Sequence, residues 1–154
     1  MQDTKLDLTA DIIDIRDIIE RFENIEGDLL AAFNEQQKIE ADDTETDNPE
    51  DSAFIEWSKQ TVHEDAEEYQ QLKAILQESE SLGGDEQWRG NWYPVTLIRD
   101  SYFTQYAQEL AEDIGAVKSD AQWPHTCIDW EHAARELQYD YTAVDIGDLT
   151  YWTR

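Results

Sequence analysis

Apolar and acidic side chains recur with helical spacing through the first part of this chain. The apolar residues are three or four positions apart: Ile12, Ile15, Ile19, Phe22 and Ile25. This spacing predicts one face of an α-helix with Thr9 as its N-cap, interrupted at Gly27. Acids occupy the positions between them: Asp11, Asp14, Asp17, Glu20 and Glu23. The sequence therefore predicts an amphipathic helix near its start, with a negative polar side.

An unusually acidic run follows at residues 40–51, EADDTETDNPED, where seven of twelve residues are carboxylates and none is basic. Read as an EF-hand loop from Asp43, it has Asn48 where glycine makes the sharp turn and Phe54 where a bidentate glutamate belongs. The run is therefore not a calcium loop. It is either a solvated linker or one loop of a larger negative surface that includes Asp42, Asp43, Glu45 and Asp47.

The excess of acid excludes several classes of partner. Asp and Glu number 37 against 11 Lys and Arg, for a net charge of −26. Direct binding to nucleic acid or to anionic lipid requires a basic surface, which this chain lacks. The same charge attracts basic proteins from a distance, so a basic DNA-binding protein or nuclease complex is the expected partner.

The acids are placed where they repel one another. Four crowd a single turn of a later predicted helix: Glu64, Asp65, Glu67 and Glu68. Like charges three or four residues apart on a helix cost about 0.2–0.5 kcal/mol per pair, whereas alternating Lys and Glu would gain that energy. Helices with an acid every three or four residues carry one charge per roughly 5 Å, so two or three side by side approach the charge density of duplex DNA. This arrangement predicts a surface that imitates a nucleic-acid backbone.

The second half of the chain has the sequence patterns of short strands as well as of helices. Residues 92–98 predict a strand with Pro94 at a sheet edge, residues 103–114 predict an amphipathic helix, and a short strand is expected around 125–128. Asp129 is expected to cap a short helix. Gly147-Asp148 predicts the turn of a closing β-hairpin. The predicted class is α+β, with an acidic helical region at 1–84 and a small α/β unit at 85–154.

Residues that could carry chemistry are sparse. His125, Cys127, Asp129 and His132 contain ligand atoms, but their spacing matches no zinc pattern. Cys127 has no recognisable oxyanion loop, and no glycine-rich phosphate loop is present. The sequence predicts no enzyme, no cofactor and no metal, and a metal-dependent enzyme around His125, Cys127 and His132 remains an alternative to test.

The aromatic stretch at residues 87–93 has two interpretations. Trp88 and Trp92 either pack against a neighbouring helix or anchor a partner from an exposed loop. The single cysteine, the absence of a basic and apolar N-terminal start and the absence of a long apolar run predict a soluble cytoplasmic protein that does not enter membranes.

The C-terminal residues resemble a known family. Residues 128–137, IDWEHAAREL, followed by Asp140, Tyr141 and the closing hairpin, are similar to the end of ArdA-type antirestriction proteins, and residues 102–111, YFTQYAQELA, resemble small acidic bacteriophage proteins. The resemblance implies an elongated, often dimeric inhibitor that mimics DNA and works by occupying a site, without catalytic residues. The predicted helical N-terminal half of this chain differs from the mixed α/β N-terminal part of that family.

Two functions are therefore expected. The first is a DNA mimic that occupies the DNA-binding groove of a bacterial defence complex, either a restriction enzyme or a CRISPR effector, or of another DNA-binding protein. The second is an acidic adaptor or scaffold that recognises a protein through its aromatic C-terminal half. The affinity of a mimic should fall steeply with salt and with competing duplex DNA, and that of an adaptor should not.

Overall fold

The computed structural model describes residues 6–39, 46–118, 120 and 122–154. Within these ranges the chain forms five α-helices, a four-stranded antiparallel sheet and a separate two-stranded hairpin, which confirms the predicted α+β class. The contacts divide the chain into two units. One is built from residues within 17–77, and the other from residues 7–16 and 78–154. The predicted division at residue 84 differs from this one chiefly because the N-terminal segment joins the sheet of the second unit.

The first unit is helical and has an aromatic core. Its helices are α1 (Ile15–Ile39), α2 (Ser52–Gln60) and α3 (Ala66–Ser79), of which the first two residues of α1 and the last two of α3 belong to the second unit. Phe22 stacks on Tyr69 with ring centroids 4.9 Å apart, and Phe33 meets Phe54 edge-on at 5.8 Å. These rings lie on three helices and are all buried, so each helix contributes to one core.

The start of α1 is later than the periodicity predicts. Ile12 begins a strand, and Thr9 caps no helix because α1 starts six residues later, and its N–H and hydroxyl both donate to the Asp7 carboxylate. Asp14 ends the strand and accepts the N–H of Arg16 at 2.9 Å, as a residue at a helix start does. Gly27 does not interrupt α1, which continues to Ile39.

A non-helical segment separates α2 from α3. Residues 61–65 are not helical, and α2 ends at Gln60. The N-cap of α2 is Asp51, whose side chain accepts the N–H of Ala53. Asn48 accepts the N–H of Glu50 in the turn that precedes α2.

The second unit is organised around the four-stranded sheet, with strand order β1-β4-β6-β5. The strands are β1 (Ile12–Asp14), β4 (Thr96–Arg99), β5 (Thr142–Ile146) and β6 (Leu149–Thr153). The closing hairpin has the predicted turn, with Ile146 opposite Leu149. β1 pairs with β4 antiparallel, Ile12 opposite Ile98, which ties the start of the chain to its second half.

The predicted strand over 92–98 is two strands. β2 (Asp85–Trp88) and β3 (Asn91–Tyr93) form a hairpin that the sequence analysis missed, and β4 starts at Thr96 after Pro94 breaks the ladder. α3 ends at Ser79, before Gly83 and Gly84. Those glycines belong to the turn that leads into β2.

Two helices complete the second unit, α4 (Phe103–Asp113) and α5 (Trp130–Leu137). Phe103, Ala107 and Ala134 are buried in one cluster with Ile98 of β4, so both helices cover the same face of the sheet. Asp129 caps α5 as predicted, accepting the N–H of His132. The strand expected at 125–128 is instead a single 3-10 turn at His125–Cys127.

Candidate functional site

One side of α1 carries a row of exposed carboxylates, which we call the α1 acidic face: Asp17, Glu20, Asp28 and Glu35. A helix turns about 100° per residue, so these four side chains leave the axis within about 80° of one another. The row extends over eighteen residues, about 27 Å at 1.5 Å per residue. None of the four forms an ion pair within the described ranges.

The base that lies within this row is turned inward. Arg21 is the only Lys or Arg between residues 17 and 37. Its Nε donates to Oε2 of Glu68 at 2.9 Å, and both side chains are largely buried. The charge of Arg21 is therefore neutralised inside the first unit and does not offset the α1 acidic face, and the exposed Arg16 that precedes Asp17 is paired with Asp14. The Arg21–Glu68 pair also removes Glu68 from the set of predicted surface acids.

The spacing of the acids explains which of them face solvent. Acids at 17, 20, 23 and 26 are separated by three residues, and each step of three falls about 60° short of a full turn. Glu23 is therefore exposed on the flank of the face. Glu26 has rotated into the core, where it is 5% exposed and accepts a 2.9 Å hydrogen bond from the Tyr69 hydroxyl.

The remaining predicted acids are spread over other elements. Asp11 is exposed beside β1, and Asp14 is half-buried against Arg16, whose side-chain hydrogen bond holds the pKa of Asp14 below its usual value. Glu64 and Glu67 are exposed at the start of α3, and Asp65 is half-buried. Asp47 is exposed next to Thr46. Asp42, Asp43 and Glu45 lie outside the described residues.

The exposed loop at Asp47 is attached to α1. The Asn34 side chain accepts the N–H of Thr46 at 2.8 Å and donates to its carbonyl oxygen at 2.7 Å. This pair of bonds fixes the backbone next to Asp47 against the same helix that bears the α1 acidic face. The described end of the acidic run therefore belongs to the first unit.

The charge spacing on α1 is wider than the periodicity predicted. Four carboxylates over about 27 Å give one charge per roughly 9 Å, or one per about 7 Å when Glu23 is included. One DNA strand carries a phosphate every 3.4 Å of axis. The α1 acidic face alone therefore matches a few phosphate positions, and a longer match needs acids from further elements.

The two predicted aromatic anchors have different environments. Trp88 packs in its hairpin, 6.2 Å from the ring of Tyr93, with the Arg89 guanidinium 4.0 Å over it. Trp92, in contrast, is 53% exposed. Sequence reasoning missed two more exposed rings, Trp123 at 78% and Tyr139 at 87%. Their turn-rich neighbourhood was the available signal, since loop positions remain at the surface.

The residues considered for metal chemistry do not form a site. His125, Cys127 and His132 are exposed, and His132 lies 3.2 Å from Glu136 on its own helix. Among the described residues, no three His, Cys, Asp or Glu side chains are grouped to hold a metal ion. In the same residues, no helix is long and apolar enough to cross a membrane.

Comparison with known proteins adds no relative. No protein-family model, no curated protein and no solved structure matches this chain.

Proposed function

We propose that this protein inhibits a DNA-binding protein by occupying its DNA-binding groove. The observation that carries the proposal is the α1 acidic face, four exposed acids on one side of a helix, with the base that lies between them buried in the Arg21–Glu68 pair. A groove that binds DNA presents Lys and Arg at phosphate positions, and carboxylates in a row can occupy several of them.

The whole-chain charge supports the same function. At −26, the protein is attracted to a basic groove from a distance, which raises the association rate. The resemblance of residues 128–137 to ArdA-type antirestriction proteins suggests a target class, a bacterial restriction enzyme or CRISPR effector. The protein then acts in the cytoplasm of a bacterium, without a catalytic residue or a cofactor. The same resemblance suggests that it acts as a homodimer.

Displacement from DNA tests the proposal. Proteins of a bacterial lysate are bound to immobilised duplex DNA, the column is washed with this protein, and the released proteins are identified. We expect release of a small set of DNA-binding proteins, with less release as salt is raised. Failure to release any protein, or release that is equally strong in high salt, would contradict the proposal.

A matched pair of variants tests the role of the α1 acidic face. The first neutralises it: Asp17→Asn, Glu20→Gln, Asp28→Asn and Glu35→Gln. The second removes the same charge from exposed acids of α4 and α5: Glu112→Gln, Asp113→Asn, Glu131→Gln and Glu136→Gln. The first variant should lose most of the releasing activity and the second should keep most of it. Equal loss in both would show that only net charge matters.

A protein-binding adaptor is the second candidate. Trp92 and Trp123 expose more than half of their surface in the second unit, and exposed tryptophans commonly anchor protein interfaces. This function predicts that Trp92→Ala and Trp123→Ala weaken capture of a partner while salt and duplex DNA do not. The lysate experiment, repeated with these variants, separates the two candidates.

A further inference from the structure

A small cavity opens at the surface of the second unit, among residues that the proposed function does not use. Its volume is about 200 Å³, and it is lined by Val95, Thr96, Ile98, Tyr106, Tyr141 and Arg154. One water molecule takes about 30 Å³ of liquid volume, so the space equals roughly six or seven waters. That is below the range of drug-sized pockets and suits a small organic molecule.

The cavity wall contains two tyrosine hydroxyls, and their mutual hydrogen bond leaves one O–H donor unused. The hydroxyl oxygens of Tyr106 and Tyr141 are 2.9 Å apart and share one hydrogen bond. Two hydroxyl groups carry two hydrogens, and this bond uses one of them. Within the described ranges neither hydroxyl has another partner. The pair therefore offers one O–H donor to a ligand.

The packing of both rings holds this donor in place. Phe103 lies 5.4 Å from the Tyr106 ring and 5.2 Å from the Tyr141 ring, between centroids, and is itself buried. Burial and the bond to Tyr141 raise the pKa of Tyr106, so its hydroxyl stays protonated at neutral pH. A rigid, neutral phenol is suited to donate to an anionic or carbonyl oxygen.

Arg154 adds a positive charge to the same wall. Its guanidinium carbon lies 5.8 Å from the centre of the Tyr141 ring. The same charge acts on Tyr106, because it lowers the pKa of that hydroxyl against the larger effects that raise it. The lining thus combines a guanidinium, a phenol donor and the aliphatic side chains of Val95 and Ile98, so the site has both a charged and an apolar part.

We propose that this cavity binds a small organic carboxylate. Its carboxylate lies between the Arg154 guanidinium and the free hydroxyl of the Tyr106–Tyr141 pair, and its apolar part lies against Val95 and Ile98. Guanidinium and hydroxyl donors are the groups that recognise a carboxylate. A multiply charged anion such as a nucleotide is a poor fit, because the net charge of −26 repels it in proportion to its charge.

Benzoate is a suitable probe, since it has one carboxylate and a flat apolar ring. Binding is followed in the intact protein by the NMR resonances of ¹³C-labelled tyrosine rings during a titration to about 20 mM. Benzamide, which has the same shape without the charge, is the ligand control. We expect saturable shifts of the Tyr106 and Tyr141 resonances with benzoate and at least about tenfold weaker binding of benzamide.

Three variants locate the site. Arg154→Gln should weaken benzoate binding by about tenfold or more, and the double variant Tyr106→Phe/Tyr141→Phe by about three- to tenfold. Arg135→Gln removes an exposed arginine of α5 and should leave binding unchanged. Unchanged binding in Arg154→Gln, equal binding of benzamide, or no saturable tyrosine shift would each overturn the proposal. Arg154 is exposed, so its replacement tests the site without risk to folding.

Discussion

Gly84 shows how one residue can be required by the backbone of its neighbours. Its φ is +72°, and a Cβ at this position would clash with the carbonyl oxygen of Tyr93 and with the Cα of Pro94. Both contacts are with backbone atoms, so no side-chain rotation can relieve the clash. Alanine at this position therefore forces the β2–β3 hairpin away from the turn that precedes it.

Gly84→Ala should destabilise the protein by more than about 2 kcal/mol, because it adds a backbone clash to the cost of a left-handed conformation. Gly90→Ala is the matched control. Gly90 has a similar φ of +75°, but a Cβ there meets nothing within 4 Å. The control should lose only about 1–2 kcal/mol. Urea unfolding curves measure both, and equal losses would show that the close approach to Tyr93 is not limiting.

Asp14 combines two roles that substitution can separate. Its Oδ1 accepts the N–H of Arg16, and its Oδ2 lies 2.7 Å from Nη2 of the same arginine. Arg16 is 72% exposed, so the ion pair contributes little. Asp14→Asn keeps a capping oxygen and should change stability by a few tenths of a kcal/mol. Asp14→Ala should cost about 1 kcal/mol at pH 7.

The pH dependence of this loss has a definite sign. The hydrogen bond from the Arg16 side chain lowers the pKa of Asp14 below its usual value of 3.8. A lowered pKa contributes stability that is present above the unfolded-state pKa and lost as pH falls through the folded-state value. The difference between wild type and Asp14→Ala should therefore shrink below pH 4. A difference that grows with acid in thermal melts would contradict this role.

At the scale of structural elements, side-chain hydrogen bonds hold the segment before β1 in place. The Tyr151 hydroxyl lies 2.9 Å from the carbonyl oxygen of Leu8 and 2.7 Å from that of Ala10, and Arg99 donates to the carbonyl of Thr9 at 2.7 Å. Tyr151 is buried on β6 in the middle of the sheet. This tyrosine thus connects the segment before β1 to a central strand.

Tyr151→Phe should release that segment while the sheet remains folded. We expect faster amide hydrogen exchange in residues 7–11 and a loss of about 1 kcal/mol in the free energy of unfolding. Exchange in the β5–β6 hairpin should change little. Tyr139→Phe, at a side chain that is 87% exposed, is the control and should have no effect. Unchanged exchange at residues 7–11 would show that Arg99 and β1 are sufficient to hold the segment.

The same elements show which parts of the fold were predictable from sequence. The β5–β6 hairpin was predictable because its signal is local: a glycine-containing turn lies between two runs of residues that favour strands. β1 was not, because three residues of strand are stabilised by pairing with Ile98, 86 positions away, and Ile12 also fits the helical periodicity. The β2–β3 hairpin was missed because Arg89 takes a left-handed conformation, φ 51°, that its residue type does not predict.

Sites were less predictable than elements, for a related reason. The acids of α1 are in the sequence, but burial of Glu26 depends on Tyr69 of α3, and the inward turn of Arg21 depends on Glu68. The cavity proposed to bind a carboxylate is lined by residues from β4, α4 and both ends of the closing hairpin. No local pattern marks such a set, because its members are brought together only by packing.

For the whole molecule, net charge should make salt act in opposite directions on folding and on binding. Mutual repulsion of 37 acids opposes compaction, and it is screened when the Debye length falls from about 30 Å at 0.01 M to about 10 Å at 0.1 M salt. The melting temperature should therefore rise with sodium chloride over this range. The release of DNA-binding proteins by this protein should fall over the same range, because screening weakens attraction to a basic groove.

The variant with a neutralised α1 acidic face links the two effects. With four fewer charges it should melt at a higher temperature than wild type in 0.01 M salt. The difference should shrink in 0.5 M salt, because salt screens the same repulsion that the substitutions remove. Sucrose, which stabilises by exclusion without screening, should raise both melting temperatures equally. If salt leaves the melting temperature of the wild type unchanged, the acids do not oppose folding, and their repulsion is already compensated by bound cations. In that case the attraction of the α1 acidic face to a basic groove would be reduced as well, because bound cations neutralise the same carboxylates.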